Sequence, residues 1–206
     1  THSFGFAVEP THHTGLLASY TVSDSLQVSA GLANTTGPET NGAGAGTGSN
    51  KSVLGAVSYT MPSSGGTLSG TKLYYGIVSG NSAGNSGDND NYHYASITMP
   101  DIAGISITAC WDHVEYGAQE ADTNVVGLYL SYTTGDLTLN LRGEMGNTNG
   151  PDASGYHNNA DGLESITVGV DYAVWTGVTT RLEFRNDDKD GAASQRVVAA
   201  NVVYGF

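Results

Sequence analysis

The chain has 206 residues and a net charge of −13, with only 13% charged residues where ordinary globular domains carry about 25%. It offers no basic patch to neutralise phosphates, which excludes nucleic acid as a partner, and its single cysteine, Cys110, excludes an internal disulfide or a Cys-based zinc site. No apolar run approaches the roughly 18 residues of a membrane-spanning helix, but a spanning strand is apolar on only one face, and the abundance of glycine and tyrosine with few helix formers favours an all-β chain.

In chain order, Thr1–Glu9 comes first, and the alternation of Phe4, Phe6 and Val8 predicts a strand or its upper part. His12 and His13 follow beside Glu9. Adjacent side chains on a strand face apart, so the two histidines do not chelate one metal together, and a loop or strand end is expected. Strands are predicted at Leu16–Val22, Leu26–Asn34, Val53–Met61, Leu68–Val78 and Tyr92–Met99. The Gly-Ala run Gly42–Gly48 reads as a loop rather than a phosphate cradle, because no helix follows it.

The second half alternates more cleanly. Ile105, Ile107, Ala109 and Trp111 oppose Ser106, Thr108, Cys110 and Asp112, and Val126, Leu128, Leu130 and Tyr132 oppose Gly127, Tyr129 and Ser131. Leu137, Leu139, Leu141 and Met145 oppose Thr138, Asn140, Arg142 and Glu144. Within Glu164–Val174, Ile166, Val168, Val170, Tyr172 and Val174 share one face, with Ser165, Thr167, Gly169, Asp171 and Ala173 on the other. Val178, Thr180, Leu182 and Phe184 oppose Thr179, Arg181, Glu183 and Arg185, and a last strand runs from Gln195 to Phe206. Short connections at Ser23–Ser25, Pro62–Gly66, Pro100–Gly104, Thr134–Asp136 and Trp175–Gly177 alternate with long Gly/Asn/Asp-rich ones. Tyr20, Tyr59, Trp111, Tyr132, Tyr172, Trp175 and Tyr204 fall toward strand ends, as an interfacial girdle requires.

Alternating short and long connections predict an antiparallel up-and-down transmembrane β-barrel of about 11–12 strands, with short periplasmic turns and long outer loops. Residues 1–206 are expected to form a single β-barrel domain, the C-terminal portion of a longer barrel, with Phe206 closing the last strand at the periplasmic end. The small, polar strand faces would then line a lumen. Arg142, Glu144, Asp171, Arg181, Glu183 and Arg185 are the pore-lining candidates, unless the opposite charges only brace the wall across strands.

Other chemistry is weaker. Asn186–Gly191 has the oxygen donors and turn-making glycine of a calcium loop, which makes Asp187, Asp188 and Asp190 metal candidates. It lacks a distal bidentate Glu and carries Lys189 in its middle, so a solvated hairpin tip is the alternative. The loop acids Asp88, Asp90, Glu120, Asp122, Asp187 and Asp188 could hold divalent cations that bridge lipid headgroups. His113 beside Asp112 is the nearest thing to a catalytic pair, and neighbours on a strand face apart. No catalytic residue and no cofactor is expected.

Several stretches resemble the OmpL-like β-barrel porin-2 family. They are Glu9-Pro10-Thr11-His12-His13-Thr14-Gly15, Lys51-Ser52-Val53-Leu54-Gly55, Arg181-Leu182-Glu183-Phe184-Arg185-Asn186-Asp187 and the aromatic C-terminus Tyr204-Gly205-Phe206. The resemblance implies passive passage of small solutes or ions through the bacterial outer membrane. Its partners would be outer-membrane lipids, the permeating solutes and other copies of the chain in a homo-oligomer. A structural or adhesive barrel with ligand-binding outer loops and no open pore is the alternative expectation.

Overall fold

The computed structural model describes residues 1–36, 51–81, 89–117, 121–149, 160–190 and 193–205. Eleven strands follow one short N-terminal helix. They are β1 (Gly15–Ser23), β2 (Leu26–Ala33), β3 (Ser52–Thr60), β4 (Lys72–Asn81), β5 (Asn89–Thr98) and β6 (Ile105–Tyr116). After these come β7 (Ala121–Thr134), β8 (Leu137–Thr148), β9 (Ala160–Trp175), β10 (Val178–Lys189) and β11 (Gln195–Tyr204).

All eleven belong to one sheet in sequence order, so each strand pairs only with its neighbours in the chain, and every pairing is antiparallel. Among the described residues β1 and β11 do not pair with each other. The up-and-down arrangement expected from the alternating connections is therefore the one adopted. The expected terminal residue, Phe206, and the run Gly42–Gly48 lie outside the described residues, as do Asp88 and Glu120.

The tight turns follow from backbone chemistry. Ala103 (φ 55°) and Gly104 (φ 83°) both take the left-handed conformation between Ile102 and Ile105, as the centre of a type I′ hairpin turn requires. Asp101 Oδ1 accepts the Gly104 N–H at 3.1 Å, which fixes the corner. The connection from β3 to β4 is longer than expected. Residues Ser63–Leu68 wind into a 3-10 helix interrupted at Gly66 (φ 63°), so the strand expected from Leu68 begins only at Lys72.

The N-terminal segment departs most from expectation. Phe4–Val8 is a helix, α1, not a strand. Ser3 caps it, its hydroxyl accepting the Phe6 N–H at 3.0 Å. Phe4 and Val8 stand four residues apart, so a helix turns both to one side, and each is only 4% exposed while Phe6 between them is 43% exposed. Phe4 packs on Val125 and Leu163, and Val8 packs on Tyr92 and Val114.

One five-residue helix thus touches strands from β5 to β9. That is possible only if the sheet curls around it. Its concave face carries the buried Asp112, Thr123, Glu144, Thr148, Ser165, Thr167 and Arg185, whereas Leu128, Met145, Ile166, Val168, Leu182 and Phe184 on the convex face are exposed. A water-soluble sandwich would place these two sets the other way round. The convex face is a continuous apolar surface far larger than a soluble monomer exposes, and its solvent is lipid. The same face carries Tyr75, whose hydroxyl lies 2.8 Å from His93 Nδ1, and Trp111, which stacks on His113 at 5.5 Å. Trp111, expected toward a strand end, stands midway along β6 because that strand continues to Tyr116.

Candidate functional site

The concave wall of β8, β9 and β10 holds all six charged residues singled out from the sequence. Cross-strand register sets them in rows, with Thr138, Asp171 and Arg181 in one and Arg142, Thr167 and Arg185 in another. Arg181 grips Asp171 with both ends of its guanidinium, Nε to Oδ1 and Nη2 to Oδ2, each at 2.7 Å. Arg142 Nε lies 3.1 Å from Glu144 Oε2, and Arg142 Nη2 donates to Thr167 Oγ1 at 3.0 Å. Arg185 Nε donates to Asp187 Oδ1 at 2.6 Å.

These charges do more than brace one another, because they also hold the N-terminal segment. Arg142 donates to the Thr1 carbonyl at 3.1 Å, and Arg185 donates to the His2 carbonyl. Arg185 also lies 4.8 Å from the centre of the Phe4 ring, a cation–π contact. Glu144 accepts the Phe4 N–H at 2.8 Å, and Glu183 takes the Thr1 hydroxyl. The carboxylate of Glu144 meets the open amide end of α1, where negative charge is favoured. Gly5 lies against Asp112 so closely that a Cβ there would overlap its carboxylate. Glycine at this position is what lets the helix rest on the wall.

Lying across the concavity, α1 leaves a recess on each side. One, of about 340 Å³, is lined by Arg142, Arg181, Asp171, Glu183, Tyr129 and Asn140 among others. The other, of about 400 Å³, opens toward β2–β6 and is lined by Glu9, Tyr74, Tyr92, Tyr94, Asp112 and Val114 among others. Two tyrosine rings lie folded over glycines: a Cβ at Gly76 would meet Tyr74, and one at Gly127 would meet Tyr129. Small residues on the polar face thus seat aromatic rings inside the concavity.

The remaining candidates are dispersed. Asp187 and Asp188 are consecutive on β10 and face apart; Asp187 holds Arg185, and Asp188 accepts from Ser194 Oγ at 2.9 Å. Asp190 follows the strand, beside Gly162. Asp112 points into the concavity, and His113 points outward, 3.4 Å from Glu115. His13 Nδ1 lies 3.3 Å from the Thr35 carbonyl, and His12 Nδ1 2.9 Å from Thr11 Oγ1, so the two rings do not converge. Sequence reasoning missed the part played by α1, Glu9 and Asp112. A Ser at the third position, ahead of Phe4 and Val8 at helical spacing, was the available signal.

The fold is that of outer-membrane barrels. The crystal structure of the outer membrane channel DcaP of Acinetobacter baumannii matches with a TM-score of 0.67 at 11% identity, over 100% of this chain and 67% of that one. OmpT of Vibrio cholerae matches with a TM-score of 0.58 at 14% identity, over 96% of this chain and 66% of that one. A loop L8 deletion mutant of OmpT matches with a TM-score of 0.62 at 15% identity, over 94% and 63%. The chain thus spans about two thirds of the length of each. A comparison with curated proteins gave no match. Residues 1–206 match the family described as "Putative beta-barrel porin-2, OmpL-like", in agreement with the lipid-facing convex surface; the chain belongs to that family and is a bacterial outer-membrane protein.

Proposed function

We propose that the protein is a channel for passive diffusion of small polar solutes or ions, with α1 as its constriction. The observation that supports this reading is the seating of α1. It is held by backbone contacts to Arg142, Arg185 and Glu144 inside a charged concavity, with a polar recess left on one side and a more apolar one on the other. On β8–β10 the charges are aimed at the passage, and a charged, polar wall gives water and solute a path. The acids Asp112, Glu144, Asp171, Glu183 and Asp187 outnumber Arg142, Arg181 and Arg185 on this face, so the channel prefers cations.

The unpaired edges of β1 and β11 bear on how the barrel closes. Among the described residues these edges have no partner strand, and open strand edges are not tolerated in lipid, so the working barrel pairs both. Reconstitution of the full-length protein in a planar bilayer tests the function. Discrete conductance steps are expected, with a reversal potential in a salt gradient displaced toward that of the cation. Absence of steps overturns the channel and favours a structural or adhesive barrel, for which α1 would be a plug.

A further inference from the structure

We propose that the recess between α1 and strands β4–β6 is a binding subsite for a small organic cation, an ammonium group carrying an apolar or aromatic part. The proposal deepens the channel reading and rests on it for the subsite's place along the permeation path.

Charge comes first. Asp112 is 2% exposed, and no amide, hydroxyl or cationic donor among the described residues reaches its carboxyl oxygens, whose one polar neighbour is another acid. The group beside it is a second carboxyl, that of Glu9. A buried carboxylate left without a donor is costly, and a second acid next to it compounds the cost. The neighbouring arginines do not relieve it: Arg142 is paired with Glu144, Arg181 with Asp171 and Arg185 with Asp187. A positively charged guest would supply what this pair lacks.

Shape and surface then narrow the guest. The recess of about 400 Å³ has Glu9 and Asp112 in its lining beside Tyr74, Tyr92 and Tyr94. Tyr74 and Tyr94 stand 5.8 Å apart, ring to ring, and Tyr94 is the cross-strand partner of Asp112. Aromatic faces attract organic ammonium groups. Behind them Val8, Val78 and Val114 form an apolar wall. A hard metal ion asks instead for six or more oxygen ligands, and no group of three acidic, histidine or cysteine side chains converges among the described residues. Acid pair, tyrosine rings and apolar wall together match an amphipathic ammonium.

The test is calorimetric titration of the full-length protein in detergent with phenethylammonium, with its neutral isostere 2-phenylethanol, and with calcium. Phenethylammonium should bind at least tenfold more tightly than 2-phenylethanol. Glu9→Gln, which lies outside the barrel wall, and Asp112→Asn should each weaken it at least tenfold while the unheated protein keeps its folded mobility on gels. Equal binding of the amine and the alcohol overturns the proposal, as do affinities within twofold of the parent in both variants. Complete displacement of the amine by calcium at equal ionic strength also overturns it, marking a site for inorganic cations. Bilayer conductance is read separately: binding without conductance removes the channel but not the subsite, and conductance without binding removes the subsite but not the channel.

Discussion

Arg142 reaches five groups at once: the Glu144 carboxylate, the hydroxyls of Thr167 and Thr1, and the backbone carbonyls of Thr1 and His2. Removing it strands Glu144, whose side chain is fully buried, without its cation. Arg142→Ala should therefore destabilise the folded barrel by roughly 3–5 kcal/mol, measured by urea unfolding in lipid vesicles. The double variant Arg142→Met with Glu144→Leu should lose less than the single one, because no buried charge is left unpaired. Gly5→Ala acts at the same helix from the other side, since its methyl group would overlap the Asp112 carboxylate. Displacing α1 in this way should raise single-channel conductance with the strands intact. An unchanged conductance would show that α1 does not set the width of the passage.

At the scale of elements, the β5–β6 hairpin places Ala103 at φ 55°, where a side chain with Cβ is strained by about 1 kcal/mol and asparagine is tolerated. Ala103→Asn, creating the Asn-Gly pair favoured in type I′ turns, should raise stability by about 0.5–1 kcal/mol in the same unfolding assay. The strands that flank this turn show how far patterning reaches. The facing of strands β6 to β10 was legible, because each alternates between lipid and the concavity. Their outer ends were not, since β10 continues to Lys189 through residues expected in a hairpin tip and β9 begins at Ala160, ahead of the run read from Glu164. The segment from Leu68 was misread, because Leu68 is apolar but out of phase with Leu73, Tyr75 and Ile77 of β4, and Gly66 and Gly70 break the backbone around it. Phe4, Phe6 and Val8 were misread for a related reason. Three apolar residues are too few to separate a period of two from a helical one, and the deciding contacts come from strands more than eighty residues away.

Across the whole molecule, the convex surface predicts a depth profile. Leu128, midway along β7 and facing lipid, should tolerate arginine worst, at roughly 2–4 kcal/mol, whereas Tyr132 nearer the short turns should lose only about 0–1 kcal/mol. Equal losses at the two positions would argue against a membrane centred on the middle of the strands. The charged wall could be read from sequence as a set of residues on one face. Its use could not, because the register that makes rows of Arg142, Thr167 and Arg185, and the helix those rows hold, are properties of the curled sheet. Because every strand pairs only with its chain neighbours, the sheet is a string of hairpins with no crossover to preserve. Circumference is therefore free to vary: inserting or deleting one hairpin widens or narrows the barrel and leaves every other register as it was.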